Sequence, residues 1–203
     1  MTLIQDAKRG EVTDFIKKVS EYEKVEIDKL LRLIAHGYVI VPKNVLREVE
    51  PRAIGMFMST KVNANIGTSI DYVNVDEEVE KAIVAQKYGA DAVMDLSTGG
   101  NLDEIRRKII EVVKVPFGTV PIYQAARSCR RVVDMDEDDF FSVVEKQAKD
   151  GVDFMTIHAG VNWVSVERLR KSKRLLGVVS LSLIHISEPT RPLYISYAVF
   201  CLK

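Results

Sequence analysis

Cysteine is almost missing from this chain: Cys129 and Cys201 are the 2 among 203 residues. Two thiols build no disulfide framework, and without a Cys-x-x-Cys pair there is no metal knuckle. An excess of one charge is missing too. Lysine and arginine total 29, aspartate and glutamate total 29, and the isoelectric point is about 6.8. Such a balance lacks the basic field that draws in nucleic acid. No apolar run approaches the ~18 residues that cross a bilayer. The opening residues, Met1-Thr2-Leu3-Ile4-Gln5-Asp6, lack the basic-then-apolar order of a secretory signal. These absences predict a cytoplasmic protein with no nucleic-acid and no membrane partner.

What the sequence does have is a repeating pattern. Lys61-Val62-Asn63-Ala64-Asn65-Ile66-Gly67-Thr68-Ser69 reads as a short strand ending in a polar turn. Val62, Ala64 and Ile66 alternate with Asn63 and Asn65, so a two-residue period sets both amides on the face opposite the apolar residues. An amide is costly to bury alone and useful where a ligand supplies its partners. Apolar stretches with polar C-terminal ends recur at 92–97, 117–124, 154–160 and 176–180, roughly 30 residues apart, the spacing of successive βα units.

Ahead of this pattern, residues 2–20 read as one helix with Thr13 as a cap, and 27–36 as another that Gly37 stops. Residues 38–42 read as a short strand ended by Pro42, and 43–58 as a loop. Within the repeating part, Asp76 is the expected cap of one helix and Asn101 or Asp103 that of the next. Residues 117–123 read as a strand and 125–138 as a loop, and 136–139 open a helix that Gly151 ends. Residues 153–158 read as another strand and 166–169 as a helical turn.

The last residues read differently. Leu181-Ser182-Leu183-Ile184-His185-Ile186-Ser187-Glu188-Pro189-Thr190-Arg191 resembles an in-frame translation of a widely used transposase sequencing adapter. Ile195-Ser196-Tyr197-Ala198-Val199-Phe200-Cys201-Leu202 resembles the flow-cell primer that follows it. Processing segments belong outside fold reasoning. The expectation is therefore a helical segment with its connecting loop at 1–58, a substrate-binding βα sector at 59–180, and a non-native tail at 181–203. Residues 1–180 would be the front part of a longer protein.

The expected fold class is α/β: a partial (β/α)8 barrel with about five of eight βα units, preceded by N-terminal helices. Even spacing and polar residues at strand C-termini favour a barrel over an open sheet, and no Gly-x-Gly-x-x-Gly follows the first strand. Five strands do not close a barrel, so an unpaired parallel edge would remain, an aggregation hazard.

In a barrel the strand C-termini converge on the substrate mouth. That singles out Asn63, Asn65, Met94, Asp95, Ser97, Thr98, Tyr123, Gln124, His158 and Ser180. Each has a bland alternative. Asn65 can bond a phosphate, ribose or base, or its own backbone in a turn. Met94 can simply be core, Asp95 and Ser97 part of a turn, and Tyr123 packed at a rim. His158 can act as acid, base or phosphate donor, or be a satisfied structural histidine. Arg127, Arg130 and Arg131 suit an anionic group or a solvated face. Cys129 among them is expected to have a lowered pKa if exposed. Spacing alone gives a barrel enzyme with a polar mouth.

Four motifs add a resemblance. Asn63-Ala64-Asn65-Ile66-Gly67, Val93-Met94-Asp95-Leu96-Ser97-Thr98-Gly99, Gly118-Thr119-Val120-Pro121-Ile122-Tyr123-Gln124-Ala125 and Thr156-Ile157-His158-Ala159-Gly160 resemble, in order and spacing, the phosphomethylpyrimidine synthase (ThiC) family of thiamine biosynthesis. The resemblance runs from about Ala7 to Ser180. It implies a radical S-adenosylmethionine enzyme with a barrel core, a 4Fe–4S cluster and zinc. It also implies the rearrangement of 5-aminoimidazole ribonucleotide to the phosphorylated hydroxymethylpyrimidine, with release of formate and carbon monoxide, by a homodimer. By motif, Asn65, Met94, Tyr123, His158 and Ser180 match the family's substrate-contacting positions. Asn65 and His158 would be donors, Tyr123 a positioning hydroxyl, and Met94 an apolar and backbone contact.

The departures set a limit. The family's Cys-x2-Cys-x4-Cys triplet and its two metal-binding histidines are absent, and without three thiolates a site-differentiated cluster does not form. The chain as it stands is therefore expected to be inactive, with no metal site of its own. Two other readings compete: a metal-free barrel lyase or isomerase for a phosphorylated sugar, and a non-catalytic binder of a phosphorylated ribotide.

Overall fold

The computed structural model describes residues 2–158 and 162–172. The first helical stretch breaks where the chain needs a left-handed residue. Gly10 has φ 73° and its N–H closes α1 (Leu3–Arg9) onto Asp6 and Ala7. Thr13 then starts α2 (Asp14–Glu23) by accepting from the Ile16 N–H at 3.2 Å. The single helix expected over 2–20 is thus two helices. α3 (Ile27–Ala35) ends at Gly37, as its position predicts. Ile16, Val19, Leu30, Leu31, Leu33 and Ile34 form the core of this unit with Val39 and Ala53. Val39 lies on β1 (Val39–Ile40), which pairs antiparallel with β2 (Ile54–Gly55). Most of 43–58 is otherwise irregular, as expected.

The repeating part folds as strand and helix in turn. β3 (Asn63–Ile66), β4 (Ala92–Asp95), β5 (Phe117–Thr119) and β6 (Phe154–Met155) form one parallel sheet in the order β3-β4-β5-β6. Between them run α4 (Val75–Lys87), α5 (Leu102–Val112) and α7 (Glu137–Asp150), with the short α6 (Pro121–Ser128) directly after β5. The last described helix is α8 (Trp163–Lys171). Among the described residues no helix is long and apolar enough to cross a membrane.

Several boundaries differ from expectation. The strand expected over 153–158 covers only Phe154–Met155, and the turn expected over 166–169 is the longer α8. The others differ for a local reason. α4 is capped by Asn74, whose Oδ1 accepts from the Glu77 N–H, so Asp76 sits inside the first turn among Glu77 and Glu78. Those acids favour the positive end of the helix dipole. Asn101 is the cap of α5. β5 stops at Thr119 because Pro121 opens a helix, where its missing N–H costs nothing. Tyr123 and Gln124 are therefore on a helix and not at a strand end, and the loop expected over 125–138 is helical through Ser128, with a further turn at Val132–Asp134. The strand expected at 176–180, Ser180 and the tail at 181–203 lie outside the described residues.

The two faces of the sheet differ, as the two-residue period requires. Ile66, Val93 and Phe117 face Ala82 of α4 and Ile105 and Ile109 of α5 in the main core. Asn63, Asn65, Met94 and Gly118 lie on the opposite face. The N-terminal unit is tied to the start of the strands. Asp91, just before β4, accepts from the Tyr22 hydroxyl at 2.9 Å, Arg52 at 3.1 Å and the Val62 N–H at 2.8 Å. Asp153, just before β6, accepts from the Asn44 N–H at 2.7 Å and the Phe117 N–H at 2.8 Å, and pairs with Arg47.

Candidate functional site

The face opposite the helices carries the polar residues. In register, Asn65 lies beside Met94, and Met94 beside Gly118. Both asparagines of β3 are exposed. The Asn63 amide donates to Asn65 Oδ1 at 3.0 Å and lies 3.7 Å from Met94 Sδ. Just past β6, the Thr156 hydroxyl reaches the same sulfur at 3.9 Å. Met94 is buried and packs with Val120, Ile122 and Tyr123, supported by Met135 and Phe140. The register sets Asn65 beside Met94, and Tyr123 of α6 belongs to the same buried cluster as Met94. His158 follows two residues after Thr156 and is half-buried, and that burial pushes its imidazole below the ordinary value of 6.5. Burial thus favours its neutral form.

Other candidates face elsewhere. Asp95 and Thr119 alternate with Met94 and Gly118, and so point under the helices. Asp95 Oδ1 accepts from the Ser97 N–H at 2.9 Å and its hydroxyl at 2.5 Å, and the Ser97 Oγ accepts from the Thr68 N–H at 3.0 Å. Thr98 bonds Thr68, and Thr68 bonds Gly99. Asp95, Ser97 and Thr98 spend their polar atoms locking two loops together, which is the turn reading. Burial raises the Asp95 pKa above 3.8, although both Ser97 hydrogen bonds oppose it.

Gln124 is buried on the helix side as well. Its Oε1 accepts from Arg106 Nη1 at 2.9 Å and from Gln147 Nε2 at 2.9 Å, and its Nε2 donates to Asp103 Oδ1 at 2.7 Å. Gln147 Oε1 in turn accepts from the Thr119 hydroxyl at 2.7 Å. Arg106 is 2% exposed and also meets Asp150 and Asp103. Apart from Gln124, the residues of this network were not among the sequence's site candidates. A cavity of about 20 Å³ lies against it, space for about one water molecule.

The basic cluster is a solvated face: Arg127 and Arg130 are exposed, and Arg131 pairs with Asp134 at 2.6 Å in the open. The Cys129 pKa is raised, not lowered. Burial contributes most, followed by the Asp139 carboxylate that accepts from its thiol at 3.5 Å, with Asp136 and Asp134 adding to it. Among the described residues no group of three or more histidines, cysteines or acids could hold a metal ion.

Comparison with known proteins adds the family. The description "Radical SAM ThiC family" matches residues 2–188. A phosphomethylpyrimidine synthase of Archaeoglobus fulgidus is 79% identical over 181 residues, which cover 89% of this chain and 43% of that protein. One of Methanocaldococcus jannaschii is 58% identical over 184 residues, and one of Pyrococcus furiosus 53% identical over 185, with the same 89% and 43% coverage. The chain spans less than half the length of these curated relatives.

Proposed function

This chain belongs to the radical SAM ThiC family, and we propose that it is the front part of a phosphomethylpyrimidine synthase, contributing the ribotide-binding wall of the site. The whole protein would convert 5-aminoimidazole ribonucleotide to 4-amino-5-hydroxymethyl-2-methylpyrimidine phosphate in thiamine biosynthesis, releasing formate and carbon monoxide. The observation that carries this reading is the placement of Asn65 next to Met94 on one sheet face, with Tyr123 in the same buried cluster as that methionine. The first three motifs of the resemblance start on β3, β4 and β5, the third runs on into α6, and Thr156 to His158 of the fourth follow β6.

The sheet supports a barrel sector. Its strands follow in chain order without reversal, and α4 and α5 pack on one face. An open doubly wound sheet would instead reverse its order at a switch point. In this reading residues 1–58 are a docking segment, 59–180 the substrate-binding sector and 181–203 non-native.

Asn65 would donate to the ribotide, Tyr123 would position it, and Met94 would back it. His158, kept neutral by burial, would offer either a donor or an acceptor nitrogen. The family reading implies radical chemistry started from S-adenosylmethionine at a 4Fe–4S cluster, and zinc. The cysteines here, Cys129 and Cys201, do not fit a three-thiolate ligand set. The work of these residues is therefore binding, orientation and exclusion of water. The resemblance also supports a homodimer and a cytoplasmic location for the whole protein.

Calorimetric titration of the purified chain with 5-aminoimidazole ribonucleotide tests the reading. Saturable binding, weakened about tenfold or more by Asn65→Ala, is expected. No binding, or binding indifferent to Asn65, overturns it. Sequencing the source DNA past codon 180 tests the tail: Arg-Gly after Ser180, and later a Cys-x2-Cys-x4-Cys triplet, is the expected continuation.

A further inference from the structure

We propose that Asn63, read against the Met94 thioether, is a positioning residue that fixes which way round the Asn65 amide faces, so that Asn65 meets its ligand as a hydrogen-bond donor. This rests on the reading that Asn65 contacts the ribotide, and it adds the polarity of that contact and the residues that set it.

An asparagine amide has a donor end and an acceptor end of nearly equal shape, and only its neighbours decide between them. A thioether carries lone pairs and no proton, so toward a polar group it only accepts. The Asn63 amide end that lies 3.7 Å from Met94 Sδ is therefore its NH2. The same nitrogen is 3.0 Å from Asn65 Oδ1. Its two N–H bonds are thus directed at two acceptors on two residues. Turned over, Asn63 would set oxygen against the sulfur lone pairs. Thr156 holds the sulfur from the other side, its hydroxyl 3.9 Å away.

The consequence passes along the strand. Asn65 Oδ1 is engaged by Asn63, and the Asn65 side chain belongs to an exposed residue on the same face, its NH2 the end that Asn63 does not take. A ligand at that face meets N–H bonds. The complementary atom on the ligand is an acceptor: a phosphate oxygen, a sugar hydroxyl oxygen or an unprotonated ring nitrogen. The two-residue period explains the Asn-x-Asn pattern, since only residues two apart share a strand face.

The test is a set of variants of the full chain, titrated with 5-aminoimidazole ribonucleotide, with its nucleoside, and with ribose 5-phosphate. Near-equal thermal midpoints confirm folding in each. Asn63→Ala frees the Asn65 amide to turn, and about three- to tenfold weaker binding is expected, the worth of one ordinary hydrogen bond. Asn63→Asp only accepts, so it draws the Asn65 NH2 toward itself and turns oxygen to the ligand. It is expected to bind more weakly than Asn63→Ala. The uncharged nucleoside separates this from charge repulsion where the acceptor is on the base or sugar, and the loss in the uncharged Asn63→Ala does so where it is a phosphate oxygen. If the acceptor is a phosphate oxygen, ribose 5-phosphate follows the same order and the nucleoside is indifferent. If it belongs to the base or sugar, the nucleoside follows it. Met94→Leu is expected to mimic Asn63→Ala. In the free chain, NMR relaxation of the Asn65 side-chain nitrogen should show a rigid amide that loosens in Asn63→Ala and in Met94→Leu.

If Asn65→Ala loses affinity while Asn63→Ala and Asn63→Asp bind like the unaltered chain, the inference falls and the reading of Asn65 stands. If Asn63→Asp binds more tightly than Asn63→Ala to the nucleoside, the donor polarity is wrong. If Asn65→Ala binds like the unaltered chain, or the unaltered chain binds none of the three, the reading fails and the inference with it.

Discussion

Arg106 is the bulkiest side chain among those fully hidden from water in the described residues. Its guanidinium is matched on every side: Gln124 at 2.9 Å, Asp103 at 2.6 Å, and Asp150, which also receives its Nε at 3.1 Å. Removing one partner of a buried ion pair is costly because the other charge stays behind. Arg106→Met is therefore expected to lower the unfolding free energy by about 3–5 kcal/mol, read from urea denaturation. Charge state gives a second expectation. Burial raises the Asp95 pKa above 3.8. A carboxyl raised in the folded state contributes stability that is full below pH 3.8 and is lost as pH rises through its folded value. Asp95→Asn carries no such loss, so its stability relative to the parent should improve as pH climbs from about 3.8 toward neutrality. Unchanged relative stability across that range would sink the idea. That Asn65 and Met94 lie side by side on one sheet face was legible in the sequence, because strand alternation and position near a strand end are local signals. Arg106 was not. It lies beside Ile105 on a helix rich in charge, and what buries it is Asp150, 44 residues later.

At the scale of elements, two strands touch through the smallest residue available. A Cβ on Gly118 would stand 2.3 Å from the Phe154 ring on the neighbouring strand. Gly118→Ala is expected to cost about 1–3 kcal/mol by overpacking. Adding Phe154→Leu should recover part of that loss, and a double-mutant cycle measures the coupling. Additive effects would mean that the ring simply moves aside. The alternation of strands and helices was readable from spacing, since each apolar run is short and α4, α5, α7 and α8 each carry a capping side chain. The exact ends were less so. Val120-Pro121 fits the close of a strand as well as the opening of a helix, because proline suits both places. Only the packing of Ile122 and Tyr123 against Met94 decides for the helix. Asp76 and Asn74 are both good caps, and in the structure it is Asn74 that accepts the N–H three residues ahead, that of Glu77.

At the scale of the whole molecule, the N-terminal unit and the candidate site occupy opposite ends of the same strands. Asp91 and Asp153 anchor the unit where strands begin, and Asn65 and His158 lie where strands finish or beyond. Arg47→Met leaves the Asp153 side chain, which is fully buried, without its cation. A loss of about 3–5 kcal/mol is expected. Hydrogen exchange should then show protection falling first in α2 and α3, while β4 and β5 keep theirs. Uniform loss across both parts would show that they unfold as one. The sequence showed the helical unit and the βα pattern but not the tie between them, because 43–58 has no period and its useful residues, Asn44, Arg47 and Arg52, act through partners far along the chain. That distance also sets an order of events during synthesis. Asn44 bonds Asp153 across 109 residues. At ribosomal speeds of roughly 5–20 residues per second, the first helices wait on the order of 5–20 s for their seat to be made. For that interval a newborn chain offers chaperones an apolar helical cluster whose docking partner has yet to be translated.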